Sequence, residues 1–333
     1  MVAVKVLITG GAGFIGSTVA SACADAGIVP VVLDDLSAGR REFTAGHAAY
    51  EGDVADPAVL DRVLDEHPDV TAVVHCAARI VVPESVAQPA AYYDTNVVGT
   101  LRLVQHLLRR GRTRLLFSSS ASIYAVPGGD FAVDEDAPIA PSSPYARTKA
   151  MAEQILADVA AATDLRVLSL RYFNPIGADP ALRTGLQHRL PTHALGKLIT
   201  AHETGTPFTV LGTDWPTRDG SAIRDFVHVW DLARAHVAAL QRFDAAGAGA
   251  PHRAINLGTG AGTTVRELVA AFRSVVGELA VEEGPRRPGD VAGAYARSAT
   301  AERLLGWRAE RSLEDGVRDA LAWSAKRPSV LGS

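Results

Sequence analysis

The apolar positions of this chain gather first into short continuous runs, at Val4–Thr9, Val29–Asp34, Ala72–Ala77, Leu115–Ser119 and Leu165–Arg171. Between them lie amphipathic stretches with helical patterning, at Phe14–Ala26, Ala58–Glu66, Ala90–Arg110 and Pro144–Ala162. A strand that is apolar throughout needs cover on both faces, and strands alternating with helices provide it in a parallel sheet. The pattern predicts an α/β fold with a doubly wound parallel sheet over residues 1–174. Beyond Asn174, loops rich in Gly, Pro and Asp (174–185, 212–220, 284–293) break up shorter elements. A smaller α+β lobe over 175–333 is expected there. It is expected to interleave with the first, with returns to the main sheet near 225–258 and above all by Asp225–Val229.

Composition narrows the partners. A net charge of −4 over 333 residues gives no electrostatic reason to expect nucleic acid or an anionic membrane. No apolar run approaches the ~20 residues needed to cross a bilayer. The opening residues read as a first strand rather than a signal peptide, and a cytoplasmic protein is expected. Cys23 and Cys76 fit free thiols in a reducing compartment better than a disulfide. The ten histidines show no metal-ligand spacing, so no metal is expected. Lysine is scarce: Lys5, Lys149, Lys197 and Lys326 are the only four among 33 basic residues.

The first run ends in Thr9, Gly10, Gly11, Ala12, Gly13, Phe14, Ile15, Gly16 and then a helix. Gly10 is placed for the tight strand-to-helix turn, and Gly13 for close approach of the backbone to a pyrophosphate. Gly16 lets helix and strand pack closely, so that the free N–H groups of the helix end face the phosphates. Asp34 closes the second run 18 residues after Gly16, where a carboxylate accepts the hydroxyls of an adenosine ribose. These features together predict a Rossmann sheet that binds a dinucleotide. Asp34, with Asp35 beside it, repels a 2′-phosphate, which favours NAD over NADP.

Tyr145 and Lys149 follow Ser143 and Pro144, a helix N-cap and first-turn proline. Four residues apart, they share a helix face. A nearby ammonium and the positive helix end are expected to lower the phenol toward neutral pH and fit it for general acid–base work. Ser118, Ser119 and Ser120 close a strand 25 residues earlier, where a hydroxyl can face Tyr145.

The glycine loop and the serine-then-YxxxK arrangement resemble the extended short-chain dehydrogenase/reductase superfamily. Further segments resemble, more closely, the UDP-glucose (UDP-galactose) 4-epimerase family. They are FSSSASIY at 117–124, LRYFNPIG at 170–177, GTDWPTRDG at 212–220, IRDFVHV at 223–229, NLGTG at 256–260 and RRPGD at 286–290. The resemblance implies an NAD-dependent isomerase acting on UDP-sugars by transient oxidation at C4. Tyr145 would be the base, Ser120 would bond or relay from the reacting oxygen, and Lys149 would contact the nicotinamide ribose. With the glycine loop, Phe14, Ile15, Asp34 and Asp35, it implies a cofactor site of Asp53, Val54, Ala77, Ala78, Arg79, Asn96, Ser118, Tyr145, Lys149, Tyr172 and Phe173. It implies a substrate site of Ser120, Ser122, Asn174, Thr209, Val210, Leu211, Arg224, Arg287, Asp290 and Ala294. A homodimer through the helices near 90–110 and 144–162 is implied as well.

Ser122 stands where sugar 4,6-dehydratases carry an acid, which argues against dehydration. Three departures from the family matter. Ile80 replaces a common phosphate-contacting lysine, with Arg79 one residue earlier. The loop that usually supplies an asparagine to the UDP phosphate reads near Pro191–Leu195. Ala294 falls at the position beside the sugar's 2-substituent, where tyrosine restricts the family to hexoses; alanine leaves space for an acetamido group. Two other classes stay open: a net oxidoreductase of the superfamily, and a non-catalytic NAD-sensing module.

Overall fold

In the computed structural model, which describes residues 4–188, 193–286 and 290–332, the first strand feeds two cores at once. Val6 and Ile8 pack into one apolar cluster and Leu7 into another, the alternation that strand geometry imposes. This is why the run is apolar on both faces between Lys5 and Thr9.

The chain begins β1 (Lys5–Thr9), α1 (Phe14–Asp25), β2 (Val29–Asp34), β3 (Ala48–Glu51), α2 (Pro57–Glu66) and β4 (Val70–His75). Then come α3 (Val82–Ala87), α4 (Pro89–Tyr93), a π-helical turn at Asp94–Gly99, α5 (Thr100–Arg109), β5 (Arg114–Ser120), β6 (Ala132–Val133), α6 (Pro144–Ala162) and β7 (Arg166–Tyr172). Next are β8 (Asn174–Ile176), α7 (Ala194–Thr204), β9 (Phe208–Leu211), β10 (Ile223–Arg224), β11 (Phe226–His228), α8 (Val229–Gln241) and α9 (Phe243–Ala246). The last elements are β12 (His252–Leu257), β13 (Thr263–Thr264), α10 (Val265–Val276), β14 (Val281–Gly284), β15 (Tyr295–Ala296), α11 (Ala299–Leu305) and α12 (Leu313–Leu331).

Seven strands form one sheet in the order β12-β7-β5-β4-β1-β2-β3, and every pairing in it is parallel. Residues of α1 and α8 fill the core on one face; those of α2, α5 and α6 fill the other. This is the doubly wound Rossmann-like α/β fold. The order reverses between β1 and β4, so the loops leaving their carboxyl ends part and open a crevice, the usual ligand position in such sheets.

The later residues build their own core from Ile176, Leu195, Leu198, Phe208, Val210, Phe226, Leu268, Phe272 and Val317. Short strand pairs frame it: β8 with β11, β9 with β14, β10 with β13 and β15 with β6.

Three differences from the sequence expectation have physical causes. Strand β3 is a short, largely exposed edge, so it carries no apolar run to announce it. The helix expected over 90–110 is interrupted by the π-turn. There the Asn96 side chain accepts from the Arg79 N–H at 2.8 Å and donates to its carbonyl at 3.0 Å. An inserted turn of this kind is a recurrent functional-site feature. The 225–229 run, expected in the main sheet, pairs with β8 instead. The continuation of β7 leaves the sheet after Tyr172, and β11 pairs with it, while β12 becomes the edge strand beside β7.

Candidate active site

Gly10 has φ +69°, and a Cβ there would meet the Ala77 backbone nitrogen at 2.5 Å. A Cβ on Gly16 would meet the Gly10 carbonyl oxygen at 2.2 Å. The first glycine thus makes the turn between two loops, and the third seats α1 on the strand end. At Gly13 a Cβ would meet only the Gly10 carbonyl, at 3.4 Å, so this side of the loop is open. Gly13 is also the N-cap of α1 and offers no side-chain acceptor to the first N–H groups of the helix. Uncapped donors beside an open backbone suit an anionic group such as a pyrophosphate.

Asp34 is buried at the end of β2. Its carboxylate accepts from the Ala12 N–H at 2.9 Å and from the Leu36 N–H at 2.9 Å, bracing the glycine loop. Burial pushes it above the ordinary carboxylate value, and those two bonds oppose the rise. Asp35 is exposed and accepts from the N–H and hydroxyl of Ser37. Asp53 accepts from the Ala55 N–H, while the Val54 side chain lies in the core. Ala77 and Ala78 follow β4 at the crevice. The Arg79 guanidinium is paired to Glu84 at 3.0 Å, and Ile80 beside it is 60% exposed. Phe14 lines a cleft with Ile176, Gly177, Leu195 and Trp323, whereas Ile15 packs on the sheet core.

Tyr145 enters where the sequence places it. Ser143 caps α6 by accepting from the Ala146 N–H at 3.1 Å, and Pro144 is its first residue. The Ser120 hydroxyl is hydrogen-bonded to the phenol, and it also contacts the Ser122 hydroxyl at 2.9 Å. One expectation is corrected here. Burial pushes the Tyr145 phenol above its ordinary value, with the Ser120 bond the lowering contact. Lys149 turns toward the strand end. Its ammonium donates to the Ser118 carbonyl oxygen at 2.7 Å and lies 4.9 Å from the Phe117 ring centroid. Burial brings Lys149 itself down to about 8, with Cys76 and Glu153 opposing the fall.

Behind this pair, the Ser118 hydroxyl lies 3.1 Å from the Cys76 thiol and is hydrogen-bonded to Tyr172. Asn96 donates to the Thr148 hydroxyl at 3.0 Å and so ties the π-turn to α6. Cys76, Thr148 and Glu153 border the pair and Arg171 holds Glu153, and the sequence reading assigned none of them to the site. For Glu153 a signal was present, since it repeats the four-residue spacing of Tyr145 and Lys149. Its partner Arg171 comes near only through the β5–β7 pairing.

The described residues among those expected to hold a nucleotide sugar come from several elements. Phe173 and Ala294 join one apolar cluster with Ala121, Ile123, Tyr124 and Val133. This places Ala294 on the wall next to the serine turn. Arg224 donates to the carbonyls of Ile223 at 2.7 Å and Ala292 at 3.0 Å and lies 3.9 Å from the Asp290 carboxylate. Asn174 is exposed at the start of β8. In β9, the Thr209 hydroxyl donates to Glu282 at 2.8 Å, and the Val210 side chain is in the lobe core with Leu211 partly open beside it. Arg287 lies outside the described residues, as do Pro191 and Thr192 of the loop expected near the UDP phosphate.

Residues 6–258 match the model of the "NAD dependent epimerase/dehydratase family". The chain is 44% identical to the UDP-glucose 4-epimerase of Azospirillum brasilense, over 98% of its own length and 94% of that protein's. Among solved structures it is similar to the UDP-glucose 4-epimerase of Stenotrophomonas maltophila with bound NAD and formylated UDP-arabinopyranose. The TM-score is 0.92 at 36% identity, covering 98% of this chain and 99% of that one. A second is the Brucella ovis UDP-glucose 4-epimerase in complex with NAD, at TM-score 0.90 and 39% identity, covering 97% and 99%. With the crevice, the glycine loop and the Tyr145–Ser120 pair on one scaffold, the chain belongs to the NAD-dependent epimerase/dehydratase family.

Proposed function

We propose that this protein is an NAD-dependent 4-epimerase of UDP-sugars, interconverting UDP-galactose and UDP-glucose and, through Ala294, the 2-acetamido sugars. The observation that carries the reading is the Tyr145 phenol bonded to Ser120 at the crevice mouth, with the Lys149 ammonium held close by at the end of β5. The uncapped start of α1, the open side of Gly13 and the buried Asp34 carboxylate suit NAD. Phe14, Ile15, Asp35, Asp53, Val54, Ala77, Ala78, Arg79, Asn96, Ser118, Tyr172 and Phe173 would complete its site. Bound NAD supplies the two-electron acceptor for C4 and returns those electrons, so no net redox change results.

The residues divide the remaining work. Once the Lys149 ammonium and the positive charge of bound nicotinamide draw the buried phenol down, Tyr145 takes the proton of the sugar 4-hydroxyl and later gives one back, so it serves as base and then as acid. Ser120 holds the reacting oxygen on the Tyr145 side, with Ser122 behind it. Lys149 keeps a positive charge beside the phenolate. Arg224 and Asp290, with Asn174 and the β9 residues Thr209, Val210 and Leu211, would hold the UDP portion, and Arg287 is assigned there by resemblance. Anchoring the nucleotide alone leaves the 4-keto sugar free to turn its other face to the cofactor.

The free thiols Cys23 and Cys76 support a cytoplasmic setting. Among the described residues no helix is long and apolar enough to cross a membrane. A homodimer through α5, α6 and their neighbours is the assembly proposed, and sedimentation of the purified chain tests it.

The function is tested by incubating purified protein, without added cofactor, with UDP-galactose, UDP-N-acetylgalactosamine and UDP-glucuronate separately. A 4-epimer from at least one is expected. No epimer from any would sink the proposal, and NADH accumulating with a free carbonyl substrate would identify a net reductase.

A further inference from the structure

Three consecutive residues at the end of β5 engage three residues of α6. The Ser118 carbonyl accepts from Lys149 at 2.7 Å, the Ser119 hydroxyl donates to Glu153, and Ser120 bonds to Tyr145. Tyr145, Lys149 and Glu153 stand four apart, so they share one face of the helix. The strand end thus matches α6 at three successive turns.

Glu153 is the least expected of the three. Its side chain and that of Arg171 are both 6% exposed. Arg171 grips the carboxylate with Nε at 3.0 and 3.2 Å and Nη2 at 2.7 Å. Its remaining nitrogen, Nη1, donates to the Tyr124 hydroxyl at 2.9 Å and the Glu135 carbonyl at 3.1 Å. Tyr124 in turn donates to Asn256 at 2.6 Å, and the Asn256 side chain donates to the Val133 carbonyl in β6. Strand β6 pairs with β15, which begins one residue after Ala294. A buried ion pair contributes little net stability once desolvation is counted. Its retention beside a reacting pair therefore calls for another reason.

We propose that Glu153 is a positioning residue for the Tyr145–Lys149 pair. Held by Arg171, it fixes the register of α6 against β5 through Ser119 and sets an anion one helical turn from Lys149. The inference rests on the reading of Tyr145 and Lys149 as the reacting pair. The ionisable groups around the pair support the assignment of that anion. Lys149 has His75 and Cys76 of β4 and Glu153 of its own helix around it, while Arg171 of β7 faces Glu153 and Tyr172 of β7 faces Tyr145 and Cys76. His252 of β12 completes the set around Glu153. Of these, Glu153 is the one carboxylate.

The test uses the scarcity of lysine. With ¹³C at lysine Cε the full chain gives four resonances, and the one lost in Lys149→Arg belongs to Lys149. Glu153→Gln keeps the volume and an acceptor for Ser119 while removing the charge. The Lys149 titration should then move down by on the order of one pH unit, with the alkaline fall of kcat moving alongside it. Glu153→Asp should restore the titration but not the full kcat, because the shorter side chain cannot span both Ser119 and Arg171. A Lys149 titration unchanged in Glu153→Gln overturns the proposal. Should that variant fail to fold, Ser119→Ala leaves the ion pair intact and should lower kcat at unchanged KM. A raised KM at full kcat would overturn the register claim. Absence of epimerase activity in the parent protein would count against the proposed function alone, since the lysine titration needs no substrate.

Discussion

The Lys149 ammonium is bound to the Ser118 carbonyl, and burial holds it at about 8, well below the ordinary lysine range. If its positive charge serves the phenolate, kcat falls as pH rises through about 8 and the cation is lost. The sign for folding is opposite. Between about 8 and the ordinary lysine value the unfolded chain binds the proton and the folded chain does not, so this group adds stability as pH rises. Parallel pH series of kcat and of the denaturation midpoint check both directions. A kcat flat to pH 10 would contradict the role given to Lys149.

Tyr145→Phe removes only the hydroxyl. Loss of a positioned general acid–base group lowers turnover by about 10²–10⁴-fold. NAD should remain bound, because the glycine loop and Asp34 are untouched. Cofactor content and kcat measured on the same preparation separate chemistry from damage: loss of both would point to a structural lesion.

Gly16→Ala places a methyl 2.2 Å from the Gly10 carbonyl, which is backbone and cannot swing aside. Helix α1 has to move, at about 1–3 kcal/mol, the usual range for overpacking. Chemical denaturation and NAD content should fall together. A variant with parental stability and full cofactor would show that the close seating of α1 is dispensable.

Ala294 shares its cluster with Phe173 and Ala121, and in the proposed function a larger side chain there would intrude on the sugar pocket. Ala294→Tyr should reduce activity on UDP-N-acetylgalactosamine while sparing UDP-galactose. Ratios of kcat/KM for the two substrates provide the measurement, and equal loss on both refutes the steric argument.

Where a local signal and the global fold agree, the sequence was enough. Val29–Asp34 and Pro144–Ala162 appear with the bounds read from the pattern, the first as an uninterrupted apolar run and the second through Ser143 and Pro144 at its start. What stayed hidden depends on partners distant in the chain. The π-turn arises from Asn96 meeting Arg79, and no spacing within 90–110 announces it. The Tyr145–Lys149 spacing was visible, yet the direction of the ammonium was not, because the Ser118 carbonyl competes for it from another strand. The burial that raises the phenol is likewise a property of the assembled crevice.

Strand β12 consequently matters before the protein is finished. During synthesis, β7 is made long before residue 252, and until then its outer side is an open row of backbone donors and acceptors on an apolar strand. A fragment cut near residue 174 would keep that edge permanently bare. The nascent chain therefore has a window in which the strand leading to Tyr172 is open to pairing with a neighbour, and it closes only when β12 emerges.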